Sequence, residues 1–156
     1  MASGSLDRFL ASAESHGVPV DLEEFPAGTR TAADAAAAIG CDVRQIVKSL
    51  VFIADDAPIL ALTSGGNRVD EAKLAGALGA ATVRKADADE VRRATGYAIG
   101  GTPPFGHTTD LRVVCDRDLT TFAQVWAAAG TPATVFGIAP DLLLRVTGAP
   151  VIDLAG

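Results

Sequence analysis

The sequence predicts an α+β fold, with residues 1–156 forming a single domain: a mixed, mostly antiparallel β-sheet, partly barrel-like, with helices around it. Three observations predict it. The chain has 156 residues, the size of one domain with a core of its own. Short β-branched runs and amphipathic runs follow one another without the regular strand–helix rhythm of a parallel α/β sheet. Several strand runs lie close enough in sequence to pair as hairpins, above all the two flanking Asp55-Asp56-Ala57-Pro58.

Residues 5–15 read as a first helix, with Leu6, Phe9, Leu10 and Ala13 on one face and Gly17-Val18-Pro19 as its stop. Residues 20–25 form a short strand closed by Pro26. Thr31 is placed to cap an alanine-rich helix that ends at Gly40. Residues 45–54 are too short and too β-branched for a helix and read as a strand, and residues 59–63 return as its hairpin partner. Ser64-Gly65-Gly66-Asn67 breaks the pair. A helix over 69–78 ends at Gly79, a short strand spans 82–85, and Asp87-Ala88-Asp89-Glu90 opens a helix that ends at Gly96. Residues 97–109 form a loop rich in glycine and proline, and 111–115 a strand. Residues 122–128 fit strand and helix equally. Residues 134–138 read as a strand, Pro140 opens a helix over 140–146, and 151–154 close the chain as a strand.

Composition narrows the function. The hydrophobic fraction is 49% and the charged fraction 21%, which excludes a disordered chain. Aromatics make up only 5%, too few for a sheet face on which bases stack. The net charge of −6 argues against a broad phosphate-tracking surface, though not against a small contact with the end of a nucleic acid. Cys41 and Cys115 stand far apart, as do His16 and His107, so no metal site assembles from their spacing and a reducing compartment is expected. The first residues show no signal-peptide pattern, and the apolar run at 46–54 is far short of the roughly 20 residues a membrane helix needs. The expected location is the cytoplasm, with no membrane partner.

Two features stand out as candidate sites. Lys48 is one of three lysines and lies inside an apolar strand, sharing a face with Ile46, Leu50 and Phe52 by period two. It is either an amine snorkelling to water at a sheet margin or a fixed cation on a cleft floor, able to hold a phosphate or a developing oxyanion. The loop from Gly96 to Gly106, containing Gly100-Gly101-Thr102-Pro103-Pro104-Phe105, is either an ordinary surface turn or a stiff presenter of backbone N–H groups to an anion or ester carbonyl. No serine lies in a GxSxG elbow, Cys41 follows a helix end where the dipole does not favour a thiolate, and Cys115 reads as a buried structural thiol. Asp110 and Asp116 flank a strand and could pair with a base, but acidic residues in that position are more often solvated. An enzyme built on this chain would therefore act by positioning and backbone dipoles.

The stretches Gln45-Ile46-Val47-Lys48-Ser49-Leu50-Val51-Phe52, Arg68-Val69-Asp70-Glu71-Ala72-Lys73-Leu74-Ala75 and Thr95-Gly96-Tyr97, the last running on to Gly100-Gly101-Thr102-Pro103-Pro104-Phe105-Gly106, resemble the YbaK/EbsC family. These are free-standing aminoacyl-tRNA deacylases related to the editing insertion domain of bacterial prolyl-tRNA synthetase. The resemblance runs from about Val18 to the C-terminus. It implies hydrolysis of the ester of a mischarged tRNA, tRNA(Pro) or another, carrying a small amino acid such as Ala, Ser, Thr or Cys, without metal, cofactor or covalent intermediate. It implies that Lys48 holds the 3′ acceptor end or orients the ester, and that backbone N–H groups of Gly100 and Gly101 bind the carbonyl oxygen or terminal ribose. Thr31, Ser49, Ser64, Thr102, Pro104, Phe105, Gly106 and His107 are further substrate-binding candidates by their nearness in sequence to these motifs. The Cys-clearing branch carries a Tyr before the position of Pro26-Ala27 and an Asp after the glycine turn. Here those segments read Asp21-Leu22-Glu23-Glu24-Phe25 and Thr134-Val135-Phe136, and Ala133 and Thr134 stand where some alanine-clearing relatives have a His. These departures favour Ala, Ser or Thr over Cys. The alternative function is a non-catalytic module that binds aminoacyl-adenosine or nucleotide ends, or docks to an aminoacyl-tRNA synthetase.

Overall fold

In the computed structural model, which describes residues 2–25 and 31–156, apolar periodicity becomes helix and strand largely where the sequence places them. Helix α1 (Ala2–Ser15) buries Phe9 and Ala13, with Leu6 and Leu10 packed beside them. Strand β1 (Leu22–Glu24) is shorter than expected; Pro26, its expected stop, lies outside the described residues. Helix α2 (Ala32–Ile39) is capped by Thr31 Oγ1, which accepts the Asp34 N–H, and ends at Gly40 with φ +86°. A 3-10 turn leads into the long strand β2 (Ile46–Ala54) and then β3 (Ala57–Ser64). The turn between them is only Asp55-Asp56, both with positive φ. Left-handed geometry at both central residues matches strand twist, so Ala57 and Pro58 join β3 instead of the turn.

Helix α3 (Glu71–Leu78), β4 (Val83–Lys85) and α4 (Ala88–Thr95) follow, with Asp70 and Asp87 as N-caps and Gly79 and Gly96 as C-caps. Next come β5 (Arg112–Asp116), a 3-10 segment (Arg117–Thr121), β6 (Val125–Ala128), β7 (Thr134–Ile138), α5 (Pro140–Thr147) and β8 (Val151–Ile152). The ambiguous run at 122–128 thus resolves as a strand, because β6 is held between β2 and β7 and alternate residues turn inward.

The strands form one sheet in the order β1-β7-β6-β2-β3-β5-β8, with β4 also on β2. Four pairings are antiparallel; β2–β6, β3–β5 and β5–β8 are parallel. The sheet does not close into a barrel. It forks at β2, whose one edge is filled by β3 along Val47–Ala54 while the other carries β6 at Ile46 and Val47 and β4 at Phe52–Ala54. Hydrophobic clusters cover both faces, one around Phe9, Leu60, Leu62 and Phe136, the other around Phe52, Leu74 and Leu154.

The 97–109 loop is tied down by its ends and its middle. Phe105 packs its ring against Phe9 and Phe136, with centroids 5.2 and 6.1 Å away. Tyr97 donates its hydroxyl to Gly106 O at 3.0 Å, and Arg8 donates to Gly96 O at 2.6 Å while lying over the Tyr97 ring. His107 donates Nε2–H to Pro103 O at 2.8 Å. Burial pushes its pKa below the ordinary 6.5, only partly offset by that hydrogen bond.

Two outcomes test this packing. A Cβ on Gly65 would sit 2.4 Å from Val43 O and 2.9 Å from Ala32 Cβ, so Gly65→Ala should lower stability by roughly 1–3 kcal/mol in urea denaturation. Because folded His107 resists protonation while the unfolded chain takes a proton near pH 6.5, its stabilisation is complete above that pH and lost as pH falls below it. The urea midpoint of His107→Gln should therefore vary less between pH 7.5 and 5 than that of the unsubstituted chain.

Candidate functional site

A cavity of about 520 Å³ opens where β2 leaves β6, between α2 and the 97–109 loop. Five consecutive residues of β2, Ile46 to Leu50, line it. Side chains alternate between faces along a strand, so five successive residues can border one cavity only if it lies along the strand's edge. The opposite walls are Ala32 and Ala35 of α2, Trp126 and Ala127 of β6, Thr134 and Val135 of β7, and Ile99, Gly100 and Thr102 of the loop. Ile99 is 56% exposed at the rim.

Of the residues singled out in the sequence, Lys48, Ser49, Thr31, Gly100 and Thr102 line this cavity. Lys48 is half-buried and donates Nζ–H to Asn67 O at 2.6 Å. Burial pushes its pKa below the ordinary lysine value, and the nearby charges of Lys85 and Arg68 push the same way against Asp116. Gly100 has φ +87° and is exposed, and its N–H has no acceptor among the described residues. The Ser49 hydroxyl is buried and also has no partner among the described residues, a state that costs about 1–3 kcal/mol when nothing fills it.

The other candidates lie elsewhere, and Thr102, though at the cavity wall, has its hydroxyl engaged. Gly101 does not present a free N–H, because it donates to Ala98 O at 3.0 Å; its missing side chain instead lets Thr131 and Pro132 approach, with Thr131 Cα 2.9 Å from where a Cβ would stand. Thr102 also spends its hydroxyl on Ala98 O. Ser64 is buried, with its Oγ on Arg44 O and its N–H on Asp116. Pro104, Phe105, Gly106 and His107 are not cavity walls: Phe105 is drawn into the core by its aromatic neighbours, and the rest of the segment folds onto it as the loop's anchor. Neither cysteine is primed as a nucleophile, since burial raises both thiols and pushes Cys115 to about 12.

The residue behind Lys48 is Asn67. Its side-chain amide donates to Asp116 Oδ2 at 2.8 Å and Asp118 Oδ2 at 2.7 Å. Asp116 also accepts the N–H of Ser64 at 2.9 Å and of Asp118 at 3.0 Å. Read from the sequence as solvated, Asp116 is only 1% exposed, and these donors are what make its burial tolerable. The carboxylates thus set the 64–67 turn, and the turn's last carbonyl holds Lys48. The polar residues of Ser64-Gly65-Gly66-Asn67 were the only sequence signal for this brace, and a turn explains them equally well.

Comparison with known proteins identifies the family. Residues 26–146 match the model of a family described as the aminoacyl-tRNA editing domain. A proline–tRNA ligase of Ligilactobacillus salivarius is 36% identical over 107 residues, covering 68% of this chain and 19% of the ligase; one of Geobacter sp. is 35% identical over 105 residues, covering 67% and 18%. The chain thus spans about a fifth of the length of these ligases. Among solved structures, one described as a candidate trans-editing enzyme for prolyl tRNA synthetase superposes with a TM-score of 0.92 at 46% identity, covering 97% of both chains. A fold shared over 97% of the chain, with the family match running through β2 and the 97–109 loop, shows that this chain belongs to the aminoacyl-tRNA editing domain family.

Proposed function

We propose that the protein is a trans-editing deacylase that hydrolyses the ester between a small amino acid and the 3′-terminal ribose of a mischarged tRNA, with tRNA(Pro) the first candidate. The observation that carries this reading is a single cavity bordered by a braced, half-buried lysine and by a loop glycine whose N–H has no acceptor among the described residues. Water adds to the ester carbonyl carbon, the bond to the ribose oxygen breaks, and that oxygen leaves with a proton as the free hydroxyl of the tRNA. The Gly100 N–H is the donor for the carbonyl oxygen as negative charge grows on it. Lys48 supplies a fixed cation for the phosphate or ester beside it. The cavity's alanine, valine and tryptophan walls leave room for a small side chain. With a net charge of −6, the protein grips the acceptor end locally through few cations.

The test is a panel of tRNAs charged with Ala, Ser, Thr and Cys. At least one should lose its amino acid at a rate proportional to enzyme, and Lys48→Ala should cut that rate by roughly 100-fold or more. A panel left wholly intact rejects the deacylase reading, and tight binding of charged tRNA without release would establish a binding module instead. Asn67→Ala removes the brace but not the lysine. It should lower kcat about tenfold with little change in KM, and have no further effect when added to Lys48→Ala, since residues acting through one group are not additive.

A further inference from the structure

The fork in the sheet leaves a vacancy in the hydrogen-bond ladder of β2. Among the described residues, β6 pairs with Ile46 and Val47 and β4 with Phe52 to Ala54, so the edge between them has no strand beside it. Val47 to Val51 spans roughly 13 Å at about 3.3 Å per residue. The direction of the backbone groups follows from two contacts. Ile46 C=O accepts the Gly65 N–H on the β3 side, and Val51 C=O accepts the Ala86 N–H on the opposite side. By alternation, Lys48 and Leu50 turn their N–H and C=O toward β3, and Ser49 turns both of its groups into the vacancy. Ser49 borders the cavity, and its enclosed hydroxyl has no partner among the described residues. Its N–H and C=O form a donor and an acceptor side by side at the cavity's edge.

We infer that this backbone pair is the subsite for the free α-amino group of the aminoacyl ester, a deepening that rests on the deacylase reading. The cavity's described walls contain no Asp or Glu, so no carboxylate is there to receive an ammonium, and Lys48 already supplies positive charge. A neutral amine both donates and accepts, which is what the Ser49 C=O and N–H require. Acylating that nitrogen withdraws its lone pair and adds bulk against the strand edge. The site therefore distinguishes free aminoacyl ends from N-acylated ones.

The experiment uses two non-hydrolysable probes, 3′-alanylamino-3′-deoxyadenosine and its N-acetyl derivative, with amide hydrogen exchange read by NMR. In the free protein the Ser49 amide should exchange much faster than those of Lys48 and Leu50. Saturation with the free-amine probe should slow Ser49 exchange at least tenfold, and the N-acetyl probe should bind at least tenfold more weakly. Equal affinity for the two probes, no binding of either, or binding without protection of Ser49 overturns the subsite. In parallel, alanyl-tRNA and N-acetylalanyl-tRNA are compared as substrates, with at least tenfold slower release expected from the second. Probe discrimination with Ser49 protection but without hydrolysis of any charged tRNA would uphold the subsite and reject the deacylase reading. Equal release from both tRNAs would reject the subsite and uphold the deacylase.

Discussion

The arrangement around Lys48 depends on one buried carboxylate. Asp116 ends β5 in an apolar setting, where an unpaired charge would be costly, and three N–H donors from Ser64, Asn67 and Asp118 surround it. Those bonds join the end of β3, the turn after it and the 3-10 segment after β5. Gly65 fits the same turn because the space for a side chain is occupied by Val43 and Ala32. The Asn67 carbonyl consequently stands at a fixed place, and a lysine that would otherwise sample many rotamers is held to one. A long cation on a strand becomes a positioned group because a carboxylate two strands away is satisfied.

Most elements were legible because their signals are local. Thr31 and Asp87 cap helices, Gly40, Gly79 and Gly96 end them, and the short β-branched run of β2 marks a strand without reference to any distant residue. Residues 122–128 were not legible, since only the neighbours β2 and β7 decide that β6 is extended. The site divides in the same way. Lys48 stood out because charge inside an apolar strand is a local anomaly. Phe105 and His107 stand away from the cavity walls, because nearness in sequence to Gly100 says nothing of where a ring finds its core; Phe9, from the first helix, decides that. Asp116 and Asn67 were invisible as a pair because 49 residues separate them.

The acidic balance and a cationic site around Lys48 are compatible once their locations are known. Lys48 feels Lys85 and Arg68 as like charges, so part of the small basic complement is gathered near one cavity. Several acids elsewhere are engaged with cations at the surface, such as Glu90 with Arg84 and Asp42 with Arg44, each held near a pKa of about 2. Net charge thus describes the body of the molecule and says little about the potential at the cavity.

The fork at β2 has a consequence for the behaviour of the chain in crowded solution. An unpaired strand edge is a template on which another polypeptide can add, and proteins usually blunt such edges with charge, proline or a covering segment. Here the bare stretch is short, flanked by β6 and β4 on the same edge, and recessed beneath the 97–109 loop and α2. A small molecule can enter, but a foreign strand would need several consecutive residues in register and meets β6 and β4 first. By ending two strands early instead of leaving one outside, the fold keeps backbone hydrogen-bonding groups available for recognition while denying them to self-association.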